Sequence, residues 1–137
     1  MAEWIGNGGG RVVVSGDPCG ECSPNKTRGW HWSGVWRLGQ KWQTIARDAW
    51  RRNGCPTVNR ATVQVVIYRG RTLDPDNAMA GCKAIVDGLK GVAFPDDSAA
   101  FVEYLPVKMV TGKLYARERA RVEIYIKEAE TRKEGAI

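Results

Sequence analysis

Residues 62–108 read as a strand, a helix and a second strand in close succession, and this run constrains the fold more than any other part of the chain. Thr62 to Tyr68 is β-branched and aromatic, with Val63, Val65 and Ile67 on one face and Gln64 on the other. Arg69-Gly70-Arg71 closes it. In Asp74-Pro75-Asp76-Asn77, Pro75 biases Asp74 towards an extended backbone and Asp76 suits a helix N-cap. The helix expected from there to Lys90-Gly91 places Met79, Cys82, Val86 and Leu89 on one face. Gly81 and Gly88 each cost about 1 kcal/mol relative to Ala inside a helix, so they mark positions of close packing. Pro95-Asp96-Asp97-Ser98 is a turn, and Ala100 to Lys108 is an expected strand with Pro106 at an edge or bulge.

The rest of the chain supplies the partners for this unit. Val12-Val13-Val14 reads as a short buried strand after a flexible lead-in over 1–10, and Asp17 to Trp36 as a long loop. From Leu38, the residues Trp42, Ile45, Ala46, Ala49 and Trp50 form the stripe of an amphipathic helix that Asn53-Gly54 and Cys55-Pro56 end. Gly112 is expected in a hairpin loop. Arg119 to Lys127 alternates, with Val122, Ile124 and Ile126 inward and Arg121, Glu123 and Tyr125 outward; a polar tail follows over 129–137. The expectation is one α+β domain over 11–128, with a small mixed β-sheet of about four strands and two main helices.

Charge separates along the chain. The net charge is +6, yet Asp74 to Asp97 holds five acids and two bases, a local −3 that leaves +9 elsewhere. Bases that hold a phosphate backbone around carboxylates that hold a cation are what a metal-dependent enzyme acting on phosphates needs. A solvated acidic helix is the competing reading. At about 100° per residue, Asp76, Ala80, Lys83 and Asp87 form a line distinct from the packing face. Asp96-Asp97 return to the same end if the strand after them pairs beside the strand before Asp74. Carboxylate oxygens with retained waters are the ligands Mg²⁺ prefers.

These residues resemble a known family. Asp74-Pro75-Asp76-Asn77, Lys83-Ala84-Ile85-Val86-Asp87-Gly88-Leu89, Asp96-Asp97 and Val107-Lys108-Met109, with Ser23-Pro24-Asn25-Lys26 near the start, look like the RusA family of Holliday junction resolvases of prophages and bacteria. The resemblance implies a RusA-like fold and a homodimeric endodeoxyribonuclease that resolves four-way DNA junctions by paired nicks with Mg²⁺ or Mn²⁺. It implies Asp74, Asp76 and Asp97 at the metal and Lys83 as the catalytic lysine. Asn77, Asp87 and Asp96 would stand behind them, and Arg69, Arg71, Asn25, Lys26 and Lys108 would contact DNA. In the family pattern the lysine follows the second aspartate by four residues; here that place is Ala80, and Lys83 lies three further on. A non-catalytic junction-binding protein of the same fold is the alternative.

The start of the chain has no basic segment followed by an apolar one and no stretch is long enough to span a membrane, which points to the cytoplasm and to cysteines as thiols. Cys19 and Cys22 have zinc-ligand spacing without a second pair, so a structural zinc is not expected there; Cys82 reads as a packed thiol. His31, between Trp30 and Trp32, reads as a partly buried structural residue. Trp30, Trp32 and Trp36, interleaved with Arg28 and Arg37, suit either stacking on unpaired bases or dimer packing.

Overall fold

The computed structural model describes residues 9–96 and 98–129. Most of the lead-in, the tail beyond Ala129 and Asp97 lie outside the described residues. The elements run β1 (Gly9–Ser15), α1 (Pro18–Glu21), α2 (Pro24–Thr27), α3 (Trp32–Arg52), β2 (Ala61–Arg69), α4 (Pro75–Leu89), β3 (Val102–Tyr104), β4 (Lys108–Thr111) and β5 (Arg121–Glu128). The architecture is mixed α+β, with five strands where about four were expected, because Pro106 splits the 100–108 segment. β3 pairs with the start of β2 and β4 with its end, both parallel, and the Gln64 side-chain amide donates to the Pro106 carbonyl in the gap.

β2 is the central strand: β5 lies antiparallel on its other side, and β1 pairs antiparallel with β5. The connection from β4 to β5 is therefore not a hairpin. Gly112, at φ +148°, opens a crossing over the end of β2 through two 3-10 turns, Lys113–Tyr115 and Arg117–Arg119.

Register explains the core. Val12, Ile124 and Val65 form one cross-strand row, and Val14, Val122 and Ile67 the next. All six are buried against Trp42, Ala46 and Trp50 of α3 and Ala78, Cys82, Ile85 and Leu89 of α4. Val13 points the other way and is exposed, so β1 alternates instead of being buried throughout. On α4 the packing face is centred on Ile85, and Met79 lies outside it, exposed.

The opposite sheet face corrects the outward reading of Glu123 and Tyr125, both of which are buried. Glu123 accepts hydrogen bonds from the Tyr125 hydroxyl and from Arg121 Nε at 2.7 Å, with Arg11 at 3.9 Å. The Arg121 guanidinium in turn stacks 3.9 Å from the Tyr68 ring centre. Burial pushes the Glu123 carboxyl upward, but these hydrogen bonds and the Arg121 and Arg11 charges outweigh it and hold its pKa below the ordinary value. A depressed folded pKa gives stability that is full above the unfolded value and lost as pH falls through the folded one. Urea unfolding of wild type should therefore weaken more steeply between about pH 5 and 3 than that of Glu123→Gln; parallel slopes would refute this.

The Cys19 and Cys82 sulfurs are bonded at 2.12 Å, contrary to the expectation of thiols, while Cys22 and Cys55 are free. Gly81 is the reason the two backbones meet: a Cβ there would overlap the carbonyl oxygen and Cα of Cys19, so only glycine admits α1 so close to α4. Gly88 does the same for α3, whose Gln43 backbone occupies the space of its missing side chain. Both glycines thus mark the close contacts expected of them.

Candidate functional site

The connectivity β2–α4–β3 places the start of α4 at the C-terminal end of the parallel strands, where open sheets of this type leave room for ligands. Pro75 occupies the first turn of α4 and Asp74 takes the N-cap position in extended backbone (φ −57°, ψ 142°). Asp76, expected as the cap, lies in the first turn instead. The Asp74 carbonyl accepts from Ala78 N at 2.9 Å, but its carboxylate makes no capping bond. Both side chains are exposed, and among the described residues neither makes a hydrogen bond or an ion pair. Two carboxylates without partners thus stand one residue apart, at a helix end whose dipole favours negative charge. Asn77 follows them in the same turn.

The other acidic candidates lie elsewhere. β3 does pair beside β2, but parallel and at Ala61–Val63, so the segment leading into it is at the far end of α4 from Asp74. Asp96 is there, with an oxygen 3.5 Å from Lys90 Nζ just beyond that helix. Asp97 is outside the described residues, so the expected trio is represented by Asp74 and Asp76. Lys83, seven residues past Asp76 and about 10 Å along the axis, pairs with Asp87 at 3.5 Å. Both border an apolar cavity of about 370 Å³ between α4 and the β3–β4 segment, lined by Val65, Met79, Val86, Tyr104 and Val107.

Among the DNA-contact candidates, Arg69 is committed to the fold. Its Nε and terminal nitrogen donate to the two oxygens of Asp17 at 3.3 and 3.1 Å, and its other nitrogen donates to the Arg71 carbonyl at 2.6 Å. Asp17 also caps α1 by accepting from Gly20 N, so Arg69 ties the end of β2 to α1. Arg71, Lys26 and Lys108 are exposed, and Asn25 lies in α2.

Three cations missed at the sequence level join Arg71. Lys113, Arg117 and Arg119 are exposed in the crossing that closes over the end of β2, where Gly112 N donates to the Arg69 carbonyl and Ala116 packs on Gly70. The signal was present, a run of four bases and one acid from Lys113 to Arg121, but as a hairpin loop it had no reason to cross the end of β2.

No family model and no curated protein matches the chain.

Carboxylate oxygens suit a hard divalent cation that keeps most of its waters, and an exposed pair with no competing partner leaves the remaining positions to water and phosphate. Asp74 and Asp76 fit Mg²⁺ in this sense. Among the described residues no three His, Cys, Asp or Glu side chains converge into a protein-only cage. Cys19, bonded to Cys82, does not pair with Cys22, whose thiol burial pushes up to about 11 with help from the Glu21 charge. His31 is exposed and caps α3 by accepting from Ser33 N at 3.2 Å. Among the described residues no helix is long and apolar enough to cross a membrane.

Proposed function

We propose that the chain is a metal-dependent endodeoxyribonuclease that resolves four-way DNA junctions as a homodimer, as the RusA-like motifs imply. The observation that carries the reading is the unpartnered pair Asp74 and Asp76, set at the C-terminal end of parallel strands, with Arg71 in the loop after β2 and Lys113, Arg117 and Arg119 on the crossing over the end of that strand. When bound, Mg²⁺ supplies neutralisation of phosphate charge and a lowered pKa for the attacking water. Asp74 and Asp76 would hold the cation; the motif resemblance names Asp97 as a third carboxylate, but its neighbour Asp96 lies by Lys90 beyond the other end of α4, which leaves the remaining positions to water and phosphate. The exposed cations hold the strand backbone, and each phosphate contact adds to the salt dependence of binding. Two-fold symmetry supplies two sites for the two equivalent strands of a junction.

The position of Lys83 favours the second reading, a junction-binding protein without cleavage. Its ammonium is paired with Asp87 and lies about two helical turns from Asp76. Incubation of the protein with a synthetic four-way junction and Mg²⁺ separates the two: paired nicks are expected, and junction binding without nicks would overturn the nuclease.

A further inference from the structure

The packing stripe of α3 runs past the core it serves. Trp32, Val35, Trp42, Ala46 and Trp50 follow one another at helical spacings, and the last three are buried. Val35 is 42% exposed and Trp32 73%, with Trp36 beside them at 59%. α3 begins at Trp32, ahead of the expected start at Leu38, and its added turns are held by the His31 cap and by Arg37 Nε donating to the Ser33 carbonyl at 3.3 Å. Trp30, 47% exposed, lies against Gly34 at the same helix end.

Direction matters here. α3 and α4 run parallel, because Gln43 packs on Gly88 while Val58, after α3, donates to the carbonyl of Ala93, after α4. The first turns of both helices therefore lie at one end of the domain, and the exposed tryptophans share that end with Asp74 and Asp76.

Charge selects the occupant. Between Glu21 and Asp48 the chain has no carboxylate and five cations, Lys26, Arg28, Arg37, Lys41 and Arg47. A surface of wide aromatic faces set among cations suits an anionic strand with flat bases. Indole–base stacking is tolerant of sequence, since every base has a π-face, and it needs those faces to be open. A duplex hides them in its own stack and offers only phosphates.

We propose that Trp32 and Trp36, with Trp30 at their side, form a stacking platform for unpaired nucleobases. The partner is a strand end or branch point whose bases have left the helix. The proposal takes its ligand class from the nucleic-acid reading above, and it does not need the cleavage step.

The test uses the full chain without added metal, a fluorescent single strand of about twenty thymidines, and a duplex of the same length. Trp32→Ala/Trp36→Ala should lose at least about 30-fold in single-strand affinity and less than about threefold for the duplex. Trp32→Phe/Trp36→Phe should stay within about fivefold of wild type, since phenylalanine keeps a stacking face. Circular dichroism checks that the variants remain folded, as expected for exposed positions. Unchanged single-strand affinity, or equal losses on both ligands, overturns the platform. So does unchanged single-strand affinity accompanied by loss of binding to phosphatidylserine vesicles, which assigns the face to a lipid surface, or by loss of self-association in sedimentation, which assigns it to a second copy. Single-strand binding through the tryptophans by a protein that cuts no junction would leave this inference standing and remove the nuclease; the converse result would do the opposite.

Discussion

Reduction of the Cys19–Cys82 bond should lower stability by about 4 kcal/mol, because the bond closes a loop across 63 positions and the unfolded chain regains that freedom. For a domain of this size the loss corresponds to a fall in Tm on the order of 15 °C. Cys19→Ala, Cys82→Ala and the double variant should fall by similar amounts, and none should respond further to reductant. The reduced protein should still fold, since Gly81 keeps the α1 backbone seated on α4 whether or not the sulfurs are joined. A wild-type Tm indifferent to dithiothreitol would show that the bond is not formed in solution. A melt that loses cooperativity on reduction would show that the glycine contact does not suffice.

Asp76→Asn should reduce junction cleavage by about 10³-fold, the rate equivalent of losing roughly 4 kcal/mol of cation-dependent stabilisation. The substitution keeps the shape of the side chain and its place in the first turn of α4, so folding should not change. Junction affinity measured without metal should hold or rise, because a negative charge near the phosphates is removed. Asp74→Asn should behave in the same way. Asp96→Asn should not, since Asp96 lies by Lys90 beyond the other end of the helix. Undiminished cleavage by Asp76→Asn would remove the assigned site while leaving a nuclease to be explained.

The strands and the long helices were legible because periodicity is a property of neighbours. Val63, Val65 and Ile67, and Val122, Ile124 and Ile126, appear on one face in the sequence and occupy one face of the sheet. What failed depended on residues far apart in the chain. Glu123 and Tyr125 carry polar atoms on alternating positions, which reads as solvent-facing, yet they are buried because Arg121 and Arg11 close over them from the same sheet face. Trp32 and Val35 belong to the α3 stripe, but Gly34 and Gly39 weakened the helical signal around them. The acidic pair at Asp74 and Asp76 was readable from four consecutive residues. That Asp96 goes to the opposite end follows only from the parallel pairing of β3 with β2, and that Arg69 is spent on Asp17 follows only from α1 lying at the end of β2.

The pairing of β1 with β5 has a consequence for biosynthesis. Gly9 stands opposite Lys127, and β5 is also the antiparallel neighbour of β2. β1 must therefore wait for β5 before it has a hydrogen-bonding partner. A chain emerging from the ribosome has α3 and the β2–α4–β3 unit available early, but β1 has nothing to pair with until β5 is outside the exit tunnel. Closing contacts of such high sequence separation are the slow ones. Emergence of β5, rather than of the α4 carboxylates, is then the event that completes the sheet, and chains truncated before Arg121 should emerge with β1 unpaired and open to misassembly.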